Sequence, residues 1–139
     1  MDTPARRRFT ARQAEFDAIR EYIDSACASA RDDERMRVVL LVEELFANSV
    51  MHGYGGDCDQ PVWLTVIVND DRFHVVYEDS APPHNPFDMP EPDLDDADID
   101  HRRVGGLGIV FLNELSSARR YERQGDRNVI ELHVPRGHV

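Results

Sequence analysis

The run Glu44-Leu45-Phe46-Ala47-Asn48-Ser49-Val50-Met51-His52-Gly53-Tyr54 (ELFANSVMHGY) sets polar side chains into a helix with little solvent face to spare. Its helix opens at Asp32-Asp33, with acids at the positive helix end, and runs to His52, where Gly53 and the Gly55-Gly56 pair stop it. On the helical wheel Leu40, Glu44, Asn48 and His52 fall on one line, four residues apart, while Val38, Leu41, Val42, Leu45, Phe46 and Val50 cover much of the rest. A carboxylate and a carboxamide one turn apart suit a site that needs a proton acceptor beside an oxygen ligand, such as one that aligns a hydroxyl next to Mg²⁺. The competing reading makes Glu43 and Glu44 the wet stripe of the helix, the commonest fate of glutamate.

Upstream, Phe16, Ile19, Tyr22, Ile23 and Ala26 recur at three and four residues, so a first amphipathic helix is expected over Ala11 to Ala30 with Thr10 as N-cap. Downstream, Val62 to Val68 and Arg72 to Tyr77 are β-rich runs joined by Asn69-Asp70-Asp71 and read as an antiparallel hairpin. The stretch from Ser80 to Asp100 is rich in proline and acid, has neither period, and reads as a long loop. Gly105-Gly106-Leu107-Gly108 then leads into a short apolar helix, Ile109 to Leu115. A second hairpin, Ala118 to Arg123 and Asn128 to Val134, turns at Gln124-Gly125-Asp126-Arg127. The expected fold is α+β: a two-layer sandwich with a mostly antiparallel sheet and helices on one face.

The 139 residues fit one domain, 1–139. The longest aliphatic run, Val38 to Val42, is too short to cross a membrane, and no apolar stretch follows Arg6-Arg7-Arg8, so a cytoplasmic protein without membrane partners is expected. Cys27 and Cys58 have no CxxC spacing and read as two thiols in a reducing compartment. Net charge is −11, and seven of the 27 acids fall within Asp88 to Asp100; the remaining 20 acids stand against 16 bases, a net charge of −4. Such a surface repels phosphate backbones, which argues against direct nucleic-acid binding and for protein partners.

Three further features carry chemistry. Glycine backbone at a helix start, Gly105 to Gly108, exposes N–H groups suited to phosphate, although the same cluster serves as a plain hinge elsewhere. Asp79, after an apolar strand, suits a hydrogen bond from a base amine, or else initiates a turn. Arg102 and Arg103 suit a terminal phosphate, or else form a solvated basic pair.

The order of these features, Glu44 to Asn48 on a helix, Asp79 after a strand, then Gly106-Leu107-Gly108 before a helix, resembles the N, G1 and G2 boxes of the GHKL ATPases. With the ending Tyr121-Glu122-Arg123 and Asn128-Val129-Ile130, the chain is similar over residues 9–134 to the small anti-sigma serine kinases of that superfamily. The resemblance implies the Bergerat ATP-binding fold with an ATP-lid-like loop at about 80–104, and ATP and Mg²⁺ as cofactors. It implies Glu44 as the general base and Asn48 as the Mg²⁺ ligand. Asp79 becomes the adenine-reading aspartate, and Gly106 and Gly108, flanked by Gly105 and Leu107, the phosphate-side backbone; His52 is a further match that reads equally as a core histidine. The implied function is an anti-sigma regulator and protein-serine kinase that phosphorylates a STAS-type antagonist and sequesters a sigma factor, with room for a homodimer. The pattern departs at Ala81, where relatives have glycine, and at His84, where they have an aromatic. A methyl at Ala81 is expected to crowd adenine or to conflict with a positive φ, which supports the alternative of a non-catalytic partner-switching module.

Overall fold

The computed structural model describes residues 6–88 and 114–137. Within them five strands, β1 (Arg7–Thr10), β2 (Pro61–Val68), β3 (Arg72–Asp79), β4 (Ala118–Gln124) and β5 (Arg127–Pro135), form one open sheet in the order β1-β2-β3-β5-β4, every pair antiparallel. Helices α1 (Phe16–Ala26) and α2 (Asp32–Asn48) complete an α+β sandwich, the architecture expected from the sequence.

Strand alternation builds the core. Register aligns Leu64, Tyr77 and Ile130 in one inward row and Val66, Val75 and Leu132 in the next. These rows meet Ile19 and Ile23 of α1 and Val38, Leu41, Val42 and Leu45 of α2 in a single apolar cluster. On the other sheet face the Arg6 and Arg127 guanidinium groups lie 5.1 and 5.4 Å from the Trp63 ring, and each donates to Glu78 Oε1 at 3.2 Å.

The start of the chain differs from expectation. Thr10 is no N-cap; it ends β1, and Ala11 N–H continues the pairing by donating to Gln60 O at 2.8 Å. A single turn of 3₁₀ helix (Gln13–Glu15) separates this edge from α1, which stops at Ala26 rather than Ala30. Four residues are too few for a strand period to stand out, and the three arginines hide the one buried side chain, Phe9, which meets Tyr22 of α1 edge-on at 6.0 Å.

The start of α2 is tied to the far end of the chain. Glu34 accepts from Arg31 N–H (3.1 Å), from Gly137 N–H (2.6 Å) and from Arg136 (3.4 Å). These donors, the Arg31 amide foremost, hold its carboxyl below the usual glutamate range. The folded form therefore gains stability above the unfolded carboxyl pKa and loses it as pH falls through the lowered value. Glu34→Gln is expected to lower Tm at pH 7 and to flatten the fall of Tm between about pH 5 and pH 3; parallel melting curves for variant and parent across that range would refute the assignment.

The two hairpins fall close to where the alternation puts them, each strand extending one or two residues further. The β4–β5 turn is Gly125-Asp126, with Gly125 at φ 62° and Asp126 not left-handed, as a tight hairpin of the II′ kind requires. Part of the Ser80–Asp100 segment forms a 3₁₀ turn at Pro86–Asp88. Residues 89–100 of that segment, and most of the expected Ile109–Leu115 helix, lie outside the described residues. No helix among the described residues is long and apolar enough to cross a membrane.

Candidate nucleotide site

The helix of the ELFANSVMHGY run widens at its end. After Asn48 it continues as one π-helical turn (Ser49–Gly53), in which Tyr54 N–H donates to Ser49 O at 2.8 Å. Gly55 and Gly56 then take φ of 78° and 133° and end it, a conformation that a side chain would strain. Widened turns of this kind recur at functional sites. Here the turn brings Ser49 and Gly53 against the end of β3.

At that end Asp79, only 7% exposed, lies directly opposite Asn128 of β5, both on the inward face. Asp79 Oδ1 accepts from Asn128 Nδ2 (2.8 Å) and Ala81 N–H (3.2 Å), and Oδ2 accepts from Ser49 Oγ (2.6 Å). Ser49 Oγ is also 2.6 Å from the Tyr77 hydroxyl. Since the serine proton goes to Asp79, the tyrosine proton goes to Ser49, giving a chain Tyr77→Ser49→Asp79. Burial pushes the Tyr77 hydroxyl pKa well above its ordinary value, so it remains a donor. A carboxylate offers about four acceptor positions. Three are taken by protein donors, and one on Oδ2 is left for a ligand.

The loop after β3 is bolted down from both sides. Asn128 Nδ2 also approaches Ala81 O (3.2 Å) and Pro82 O (3.1 Å), Arg123 donates to Ala81 O at 2.7 Å, and Asn128 Oδ1 accepts from Tyr121 Oη (2.6 Å) and His84 N–H (3.2 Å). Tyr54 Oη accepts from Ser80 N–H and donates to Pro61 O, both at 2.7 Å, and burial lifts its pKa to about 12. The result is a small cleft of about 20 Å³ whose wall includes Asn48, Ser49, Asp79, Ala81, His84 and Asn128.

Of the residues singled out from the sequence, Asn48, Asp79 and Ala81 thus line one cleft. Glu44 is half-buried one turn before Asn48 and does not line it; burial, and then the charge of Glu43, raise its pKa. Glu43 itself is exposed, so only one of the pair belongs to the wet stripe. His52 is exposed and is not a core histidine. Arg102, Arg103, Gly105, Gly106, Leu107 and Gly108 lie outside the described residues. Ser49, Tyr54, Tyr121 and Asn128 enter the sequence reading only as parts of a motif, and Tyr77 only as the end of a strand, with no site role given to any of them; the readable signal is an asparagine at an inward position of an alternating strand.

The strain expected at Ala81 is absent. No non-glycine residue among those described has a positive φ, and Ala81 is 1% exposed. A Cβ added to Gly53 would lie 2.9 Å from the Ala81 Cβ, so the Ala81 methyl occupies the space that a side chain at 53 would need. Gly53→Ala is therefore expected to cost about 1–3 kcal/mol. Adding Ala81→Gly to that variant should return most of the loss. Melting curves of the two single variants and the double variant check the pairing; strictly additive losses would disprove it.

The family model described as a histidine kinase-like ATPase domain matches residues 9–134. The chain belongs to this family of GHKL-type ATPase domains. Among solved structures it is similar to Acinetobacter baumannii histidine kinase AdeS, at 15% identity and a TM-score of 0.48, over 97% of this chain and 69% of that one. A comparison with curated proteins gives no match. GHKL ATPase domains generally bind ATP with Mg²⁺, and the residues present fit such a ligand: Asp79 keeps an acceptor for an amine, and Asn48, whose carboxamide carries an oxygen suited to a metal, lines the same cleft.

Proposed function

We propose that this chain is an anti-sigma regulator and protein-serine kinase, which uses Mg-ATP to phosphorylate a serine of a STAS-type antagonist protein and sequesters a sigma factor. The observation that carries the nucleotide half of this reading is the Asp79 carboxylate, preorganised by three protein donors with one acceptor left over. The kinase half rests on the resemblance of the Glu44-to-Asn48 segment, together with a half-buried carboxylate one turn from a cleft-lining carboxamide.

In this reading Asp79 accepts the exocyclic amine of adenine and so orients the base. Asn48 holds Mg²⁺, which when bound neutralises phosphate charge. Glu44 takes the proton from the serine hydroxyl as its oxygen bonds to the γ-phosphorus and the bond to the β-phosphate oxygen breaks, leaving phosphoserine and ADP. Burial suits Glu44 to this, since a raised pKa strengthens a carboxylate as a base. Positioning and electrostatics supply the rate enhancement.

Mg-ATP at about 100 times its Kd is expected to raise Tm by roughly 5–10 °C. A midpoint unmoved by several millimolar nucleotide, with and without Mg²⁺, would remove the nucleotide-binding reading. Incubation with labelled ATP and candidate STAS-type domains tests transfer. Stabilisation by nucleotide without label on any of them would leave the partner-switching module as the better description.

A further inference from the structure

One polar atom in the cleft has no role in the account above. The Nε2 of His84 is buried and has no hydrogen-bond partner among the described residues. Buried polar atoms in folded proteins are almost always paired, so an orphan on a cleft wall marks the place of a missing partner. Two other side-chain nitrogens share this condition, but neither lines the cleft. His74 Nε2 lies 3.7 Å from the Glu131 carboxylate, and Arg136 already bonds Asn69 O and Glu34 through its terminal nitrogens.

His84 is also held in place. Its backbone N–H donates to Asn128 Oδ1 at 3.2 Å, and the amide nitrogen of that same asparagine donates to Asp79 Oδ1 at 2.8 Å. One side chain therefore fixes both the segment that carries the imidazole and the carboxylate. His84 and Asp79 line the same cleft, with Asn128 bridging the His84 backbone to the Asp79 carboxylate.

We infer that His84 is a base-reading residue, whose Nε2–H donates to an adenine ring nitrogen next to the amine that Asp79 accepts. The inference rests on the adenine reading of Asp79. Adenine presents an amine donor at C6 flanked by acceptor nitrogens, N1 on one side and N7 on the other. An acceptor at Asp79 and an imidazole N–H donor at His84 match that pair. Guanine offers a carbonyl oxygen where Asp79 needs a donor, so the same two groups reject it.

The test is titration calorimetry of the full chain with Mg²⁺ complexes of ATP, 1-deaza-ATP and 7-deaza-ATP, in which a C–H replaces one ring nitrogen at a time. One of the two analogues is expected to bind roughly threefold to tenfold more weakly than ATP, the worth of one neutral hydrogen bond. His84→Phe should lose the same factor for ATP and no longer distinguish ATP from that analogue. His84→Gln, which keeps an N–H donor, should recover part of it, and ligand-free melting curves establish that both variants are folded. The wild-type comparison needs no variant. Equal binding of all three nucleotides by the wild-type chain overturns the His84 assignment while leaving Asp79 intact, as does a His84→Phe loss that is the same for all three. A wild-type chain that binds none of them overturns the nucleotide reading itself and this inference with it.

Discussion

Asp79→Asn is expected to weaken ATP binding by about 100-fold or more while the protein stays folded. The carboxylate accepts from Ser49, Asn128 and the Ala81 N–H and keeps one acceptor free. An amide has one oxygen. That oxygen can serve Asn128 and Ala81 from the Oδ1 position, which places the NH₂ group at Oδ2. Ser49 must then accept rather than donate, and the chain of hydroxyls toward Tyr77 reverses. An adenine amine arriving at this position meets a donor instead of an acceptor. The loss combines a hydrogen bond to a charged group, about 1.5–3 kcal/mol, with the penalty of an unpaired buried donor, about 1–3 kcal/mol. Selectivity should move in the opposite direction, since the new NH₂ suits a carbonyl at C6 and ITP should lose far less than ATP. Asp79→Ala is a harsher change, because three donors are left without an acceptor, and its Tm should fall well below that of Asp79→Asn. Calorimetry with ATP and ITP on a variant shown by melting to be folded decides the matter. An Asp79→Asn protein that binds ATP within threefold of the parent would end the assignment of Asp79 as the base-reading group.

The readability of this chain divides along physical lines. Strong periodicity was enough for α2 and for both hairpins, because each buries one face and a slip would expose it: Tyr77 and Ile130 could not move one position without leaving the core. β1 does not stand out, since its four residues, two of them arginine, carry one buried side chain and their partner strand lies some fifty residues away. Asp79 stood out because an acid at the end of an apolar strand breaks the pattern. Its supporting shell did not, because Ser49, Tyr77 and Asn128 are separated by 28 to 79 positions and are joined only by sheet register and a π-helical turn. The expected difficulty at Ala81 illustrates the same limit. From the sequence the methyl is an intrusion, and its compensation at Gly53 is visible only when the two are in contact. Motif order conveys which residues share a site, whereas hydrogen-bond partners depend on register that local patterns do not encode.

The largest effect on turnover should come from Glu44. If this residue is the general base, Glu44→Gln keeps size and one hydrogen-bonding oxygen but cannot take the serine proton, and phosphotransfer should fall by about 100-fold or more while nucleotide affinity is unchanged. Stability supplies a control of opposite sign. Burial, and then the neighbouring Glu43, raise the Glu44 pKa in the folded chain. A carboxyl with a raised folded pKa favours folding when protonated, and that contribution is lost as pH rises through the folded value. Ionised Glu44 is thus a stability cost at pH 7, and Glu44→Gln should melt at the parent's temperature or slightly above it. A purely structural Glu44 would show the reverse, with a lower Tm and turnover lost only through unfolding. The acid limb of the rate profile adds a second readout. Transfer should decline as pH falls through the raised Glu44 value, and Glu43→Gln, which removes the secondary cause of the shift, should move that limb to lower pH and leave the plateau alone. Asn48→Ala separates the neighbouring role: loss of the carboxamide oxygen should weaken Mg-nucleotide binding itself, with little change in metal-free nucleotide affinity. The required set is a melting curve, a nucleotide titration with and without Mg²⁺, and a labelled transfer assay to the antagonist domain across pH. Unimpaired transfer by Glu44→Gln would refute the catalytic assignment, and an Asn48→Ala protein with the parent's Mg-nucleotide affinity would refute the metal one.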